Sequence, residues 1–129
     1  MDVRLTYDAV VGAWELTHHD VRIETAADAA EWRRQLAREL QKLGNIPVYV
    51  LISVTDFEVA DCMMAEYGKT VASIAHHFHG VARYGAGEHT RNAVLVESMV
   101  YGFPTNLFPD REAAVKALEN MRLYGRRAP

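Results

Sequence analysis

The sequence predicts a single α/β domain in the order ββαβαβαβα, a mixed and mainly parallel sheet covered by about four helices. Three observations carry this. Short segments whose apolar residues alternate or run unbroken take turns with longer segments whose apolar residues recur every three or four positions. Parallel strands need long crossovers, which the helical segments supply. A chain of 129 residues, 50% of them hydrophobic, is long enough for one sizeable core and too short for two.

Val3, Leu5 and Tyr7 alternate with Arg4 and Thr6, and Val10, Val11, Trp14 and Leu16 follow around Gly12. Residues 3–7 and 10–17 therefore read as a strand pair joined at Asp8-Ala9. Thr25 is spaced to cap the amide of Asp28, after which Ala29, Trp32, Leu36, Leu40 and Leu43 keep helical spacing until Gly44 stops the run. The opposite face mixes Arg33, Arg34, Arg38 and Lys42 with Glu31 and Glu39, the pattern of a solvated surface. Residues 47–54 form a nearly unbroken β-branched and apolar run, as in a central strand buried on both faces. Its Val48, Val50 and Ile52 are expected to share one core with Leu36, Leu40 and Val71.

Asp61 then stands ahead of Met64, Tyr67, Val71, Ile74 or Ala75, and Phe78, a stripe that predicts a second helix running to Gly80. Val81-Ala82-Arg83-Tyr84 reads as a brief strand. Residues 92–101 read as a third helix through Ala93, Val94, Val96, Val100 and Tyr101, with strand left open by Val94-Leu95-Val96. Thr105-Asn106-Leu107-Phe108 closes the sheet, and Asp110 caps a last helix with Ala114, Val115, Leu118 and Met121 or Arg122 on its inner face. Residues 1–124 are expected to form the domain and residues 125–129 a flexible tail.

Charge and cysteine usage narrow the function classes. With 14 Lys and Arg against 17 Asp and Glu, the net charge of -3 offers no general attraction for phosphate backbones, and no nucleic acid partner is expected. The one cysteine, Cys62, cannot make an internal disulfide, and the opening Met1-Asp2-Val3-Arg4 lacks the apolar run of a signal peptide, so a cytoplasmic location is expected. Asp56, Glu58, Asp61, Glu66 and Lys69 interrupt the most apolar region, so no membrane span is expected.

Few residues ask for chemistry. Cys62 lies near a helix start, where the dipole favours a thiolate, but His76 and His79 are placed about four helical turns away, and a small buried apolar role is expected. His76, His77 and His79 offer only an i, i+3 helical pairing, with His18, His19 and His89 as the other histidines and neither HExxH nor CxxC present. Their place in a last helical turn is explained by the helix dipole, and no metal is expected. Tyr84-Gly85-Ala86-Gly87 lacks the further residues of a phosphate-binding loop and reads as a turn; no cofactor is expected. Trp14 and Trp32 are assigned to the core. Val94, Leu95, Val96, Met99 and Val100 make the third helix apolar beyond what one sheet contact would bury, which favours self-association or a partner. No carboxylate pair, triad or cofactor loop is apparent, so no catalytic residue is assigned.

The element order, together with residues 50–64 (Val50-Leu51-Ile52-Ser53-Val54-Thr55-Asp56-Phe57-Glu58-Val59-Ala60-Asp61-Cys62-Met63-Met64), resembles the STAS domain of anti-sigma-factor antagonists and SpoIIAA-like proteins. The family pattern, loosely L-V-I-D-L-S-x-V-x-F-x-D-S-S-G, aligns without a gap. It sets Ser53 at the acidic strand end, Thr55 at the serine, Asp61 at the acidic cap, and Cys62 and Met63 on the serine pair. Residues 107–118 also look like the family's last strand and helix. In the phosphorylation-switched members the second serine of the pair accepts phosphate; Met63 has no hydroxyl there, so the resemblance is to a divergent branch without the phosphoserine. It implies a non-enzymatic regulatory or scaffolding module that binds a protein partner through Ser53, Thr55, Phe57, Glu58, Asp61, Cys62, Met63, Glu66 and Tyr67, with a homo-oligomer through the third helix as a further expectation. The alternative is a module for a small apolar ligand or lipid: SpoIIAA-like folds resemble lipid-carrying CRAL-TRIO domains, and Phe57, Met63, Met64 and Tyr67 are expected to line its pocket.

Overall fold

A computed structural model describes residues 1–101 and 105–124; the expected tail, 125–129, and the side chains of Val96, Glu97, Ser98 and Tyr101 lie outside the described residues. Strands β1 (Asp2–Asp8), β2 (Ala13–His19), β4 (Val48–Ser53), β6 (Phe78–Tyr84) and β7 (Leu107–Phe108) form one sheet in the order β1-β2-β4-β6-β7. Two further strands, β3 (Val21–Ile23) and β5 (Phe57–Val59), pair as a separate parallel ribbon. Among the described residues, four α-helices complete the fold: α1 (Ala26–Leu40), α2 (Met64–Ile74), α3 (Glu88–Tyr101) and α4 (Arg111–Tyr124). The β1–β2 pair is antiparallel, and β2–β4, β4–β6 and β6–β7 are parallel, each joined by a crossover that contains a helix. This is the mixed, mostly parallel α/β architecture that the sequence predicts.

The central strand β4 divides the core by parity. Val50, with Val48 and Ile52 beside it, packs toward Leu36 and Leu40 of α1, Tyr67 and Val71 of α2 and Ala93 of α3. Leu51 and Tyr49 face the other way, onto Ala114, Leu118 and Met121 of α4. Three helices thus cover one face and α4 the other.

Thr25 and Asp28 make a reciprocal capping box at the start of α1, with the Asp28 N–H donating to Thr25 Oγ1 at 3.1 Å. From the last turns of α1 and the 3-10 turn that follows it (Gln41–Leu43), side chains close the outer edge of β1. Gln35 Oε1 accepts the Val3 N–H and Glu39 Oε1 the Leu5 N–H, each at 3.0 Å, while Lys42 Nζ donates to the Leu5 carbonyl at 3.0 Å. A strand edge that would otherwise template another chain is occupied from within. Asp110 Oδ1 accepts the Ala113 N–H at 2.9 Å and caps α4 as expected.

Several expectations need correction. The first turn is not Asp8-Ala9 but Ala9–Gly12, because Asp8 Oδ1 takes the N–H groups of Val10 and Val11 and Gly12 adopts φ 75. The second helix ends at Ile74. A 3-10 turn, Ala75–His77, changes the helical phase, and Phe78, His79 and Gly80 belong to β6 instead. Gly80 suits that strand because a Cβ there would meet the Tyr49 ring at 2.9 Å. The histidines therefore do not share a last helical turn: His76 and His77 lie in the 3-10 turn and His79 on the strand. Residues 92–101 are helical, resolving the strand alternative.

Candidate functional site

The segment from Ser53 to Tyr67 leaves the central strand, adds the short strand β5, passes through a 3-10 turn (Asp61–Met63) and enters α2. Its inward residues build a floor. Phe57 and Tyr67, 2% and 4% exposed, pack with Met63 into the α1-side core. The Trp32 ring stacks on Tyr67 with centroids 5.7 Å apart and meets Phe57 at 5.5 Å, and Phe57 meets Tyr67 at 5.8 Å. Tyr67 Oη accepts from the Arg83 guanidinium at 3.3 Å. Trp32 is core, as assigned, whereas Trp14 is only partly buried beside Tyr7.

The outward residues form the surface above that floor. Glu58 pairs loosely with Arg22 at 3.6 Å, since the β3–β5 register sets the two opposite each other. Glu66 meets Arg33 of α1 at 3.4 Å. Asp61 is 83% exposed by side chain and lies 3.2 Å from His89 Nε2. It caps nothing: Ala60 and Met63 occupy the N-cap positions of the 3-10 turn and α2, and neither helix start has a side-chain cap bond. Cys62 is exposed, with Sγ 3.7 Å from the Glu24 carbonyl, which corrects the buried role expected of it. The helical turn preceding α2 rotates its thiol outward and sends Met63 inward instead.

Ser53 and Thr55 are brought together at the end of β4, their hydroxyls 3.2 Å apart, with Ser53 buried and Thr55 exposed. Gly85, at φ 81, lies so close to Thr55 that a Cβ would collide with its Oγ1, which ties the β6–α3 turn to this strand end. From α3, the buried Thr90 hydroxyl donates to the Phe57 carbonyl at 2.6 Å and anchors β5.

Three contributors escaped the sequence reading. Asp56 accepts the Asp20 N–H at 2.6 Å and the Arg22 guanidinium at 2.8 Å; these bonds, the Asp20 amide first, hold its carboxyl below the usual range. Asp20 itself takes φ 51, a left-handed turn that an Asp tolerates. His18, buried, bonds the Ser53 carbonyl through Nδ1 at 2.8 Å. The strand parity of Trp14 and Leu16, carried two residues further, was the available signal.

Beyond the segment, α3 leaves Leu95, Met99 and Val100 47%, 85% and 67% exposed while burying Ala93 and Val94. Among the described residues, no group of three or more His, Cys, Asp or Glu side chains is placed to hold a metal ion, and no helix is long and apolar enough to cross a membrane.

No family model matches the chain, and no curated protein does. Solved structures do share its fold. An uncharacterized protein of the DUF3478 family from Shewanella loihica, with a SpoIIAA-like fold, superposes with a TM-score of 0.59 at 19% identity, covering 91% of this chain and 94% of that one. SLC26A9, which has a STAS domain, superposes with a TM-score of 0.62 at 11% identity, covering 89% of this chain; the match spans 21% of SLC26A9. Topology and both likenesses agree that this chain has a SpoIIAA-like, STAS-type α/β fold.

Proposed function

We propose that residues 1–124 act as one non-enzymatic, cytoplasmic interaction module, regulatory or scaffolding, that binds a protein partner through the surface running from Thr55 to Glu66. The observation that carries this reading is the division of the segment into a packed aromatic floor (Phe57, Met63, Tyr67 on Trp32) and a polar surface of Glu58, Asp61, Cys62 and Glu66. The acids are held by exposed ion pairs that contribute little to folding, so they are available to set electrostatic complementarity at a contact. A floor that is already rigid lowers the ordering cost of binding. The apolar side chains of α3 offer further surface to the same assembly, including a second copy.

The apolar-ligand alternative draws no comparable support, because, of the residues expected to line its pocket, Phe57, Met63 and Tyr67 are buried in the core and the half-buried Met64 packs against it.

The test is charge reversal. The double variant E58K/E66K is compared with the unaltered chain by co-purification from the native cell and by thermal melting. Loss of a co-purifying protein at an unchanged melting temperature supports the surface; retention of the same partner at the same yield removes these acids from the contact.

A further inference from the structure

His18 belongs to the foundation of the site and has no part in its surface. Nδ1 lies 2.8 Å from the Ser53 carbonyl, an acceptor only, so Nδ1 carries the proton. Nε2 is then the acceptor, and the Trp32 indole N–H of α1 donates to it at 3.3 Å. Only the neutral Nδ1–H tautomer satisfies both partners. The Phe57 ring covers the imidazole at 4.6 Å. One side chain thus fastens the end of β4, the face of α1 and strand β5 together.

We propose that His18 is an acid-sensitive latch: its neutral ring holds the segment Thr55–Phe57 against α1, and a proton taken up from water on Nε2 releases that segment before the main sheet opens. Protonation turns the only acceptor into a donor that faces the Trp32 N–H, and leaves a charge among aromatic rings. Each element packed on the imidazole gives it a neutral group: β4 the Ser53 carbonyl, α1 the Trp32 indole, β5 the Phe57 ring, with the Tyr67 phenol of α2 behind. Among the described residues no carboxylate contacts it; the nearby His19 and Arg22 each pair with Asp56 at the surface. Burial pushes the His18 pKa down to about 4, against the opposing pull of the Ser53 carbonyl. The sign follows from the direction of that shift. Above the ordinary histidine value both the latched and released states are neutral. Below it the released state gains a proton that the latched state refuses, so the latch weakens as pH falls toward 4. The segment yields first because its own ladder, β3–β5, is three residues long, whereas β4 is paired on both sides.

The latch acts on the segment that opens the proposed partner surface, but its test needs no partner and can fail independently of that reading. Its test is nuclear magnetic resonance of the whole chain between pH 7.5 and 3.5, reading the His18 ring nitrogens and amide protection factors, with His18→Phe as the comparison. The expected result is the Nδ1–H tautomer at neutral pH, a midpoint near 4, and a loss of protection of about tenfold or more at Val21, whose N–H donates to the Asp56 carbonyl at 3.1 Å, before residues 3–7 lose theirs. His18→Phe, which binds no proton, should hold its protection flat over that range. An Nε2–H tautomer, a midpoint at the ordinary histidine value, simultaneous loss in both regions or the same acid loss in His18→Phe would overturn the latch. Should His18→Phe fail to fold, the tautomer and midpoint of the unaltered chain still decide it.

Discussion

Helices α1 and α3 have nearly the same length, 15 and 14 residues, and both contribute to the core on one side of the sheet, yet they spend their side chains differently. Helix α1 buries Ala29, Trp32, Leu36 and Leu40, opens with a capping box, and sends Gln35 and Glu39 onto the edge of β1, where Lys42 of the following 3-10 turn joins them. Helix α3 buries Thr90, Ala93 and Val94 and leaves Leu95, Met99 and Val100 in solvent. The polar residues of α1 are structural and the apolar residues of α3 are partly not. Hydropathy alone ranks the two helices in the wrong order of structural importance; the partners available to each side chain set the order.

The comparison breaks most sharply at Trp32. Trp32→Ala removes the ring on which Phe57 and Tyr67 pack, together with the donor to His18 Nε2, and should cost about 3–5 kcal/mol in denaturant unfolding. A cost under about 1 kcal/mol would mean that the aromatic floor does not hold the fold. Glu39→Ala comes next. It strips the Leu5 N–H and Lys42 of their shared partner and should destabilise by about 1–3 kcal/mol, with faster amide exchange at Leu5 than at Val3, whose N–H still reaches Gln35. The smallest effect sharpens the contrast from the other side. Leu95→Gln with Met99→Gln should change stability by no more than about 0.5 kcal/mol in the isolated chain, while reducing any self-association seen by analytical ultracentrifugation. A large loss of stability there would show that α3 is packed like α1.

Much of this fold is legible because long periodic segments carry their own evidence. The unbroken run at β4, the 3.6-residue spacing from Ala29 to Leu40 and the Asp110 cap each specify an element without help from the rest of the chain. Strands β3 and β5 are not legible in that way. Val21–Ile23 and Phe57–Val59 are three residues each, too short for a period, and become strands only by pairing with one another across more than thirty residues of sequence. Phe78 misled for a physical reason: it stands four residues after Ile74 and continues the helical stripe on paper, but the 3-10 turn at residues 75–77 breaks the phase. The candidate segment was placed by its resemblance to the STAS pattern, while the roles within it were not. Asp61 reads as a cap and Cys62 as buried until the turn at residues 61–63 sets both outward. His18 falls just past the predicted strand 10–17, because its polarity hides its inward parity beside Leu16.

The site, the latch and the contrast between α1 and α3 all depend on β4 being the central strand of a SpoIIAA-like sheet, paired with β2 on one side and β6 on the other. Amide hydrogen exchange of the isolated chain at neutral pH measures this directly. Strand β4, Val48–Ser53, should be among the slowest-exchanging segments, slower than the exposed second half of α3 around Met99 and Val100. Fast exchange across Val48–Ser53 would contradict the central strand, and with it the fold on which the proposed surface is built.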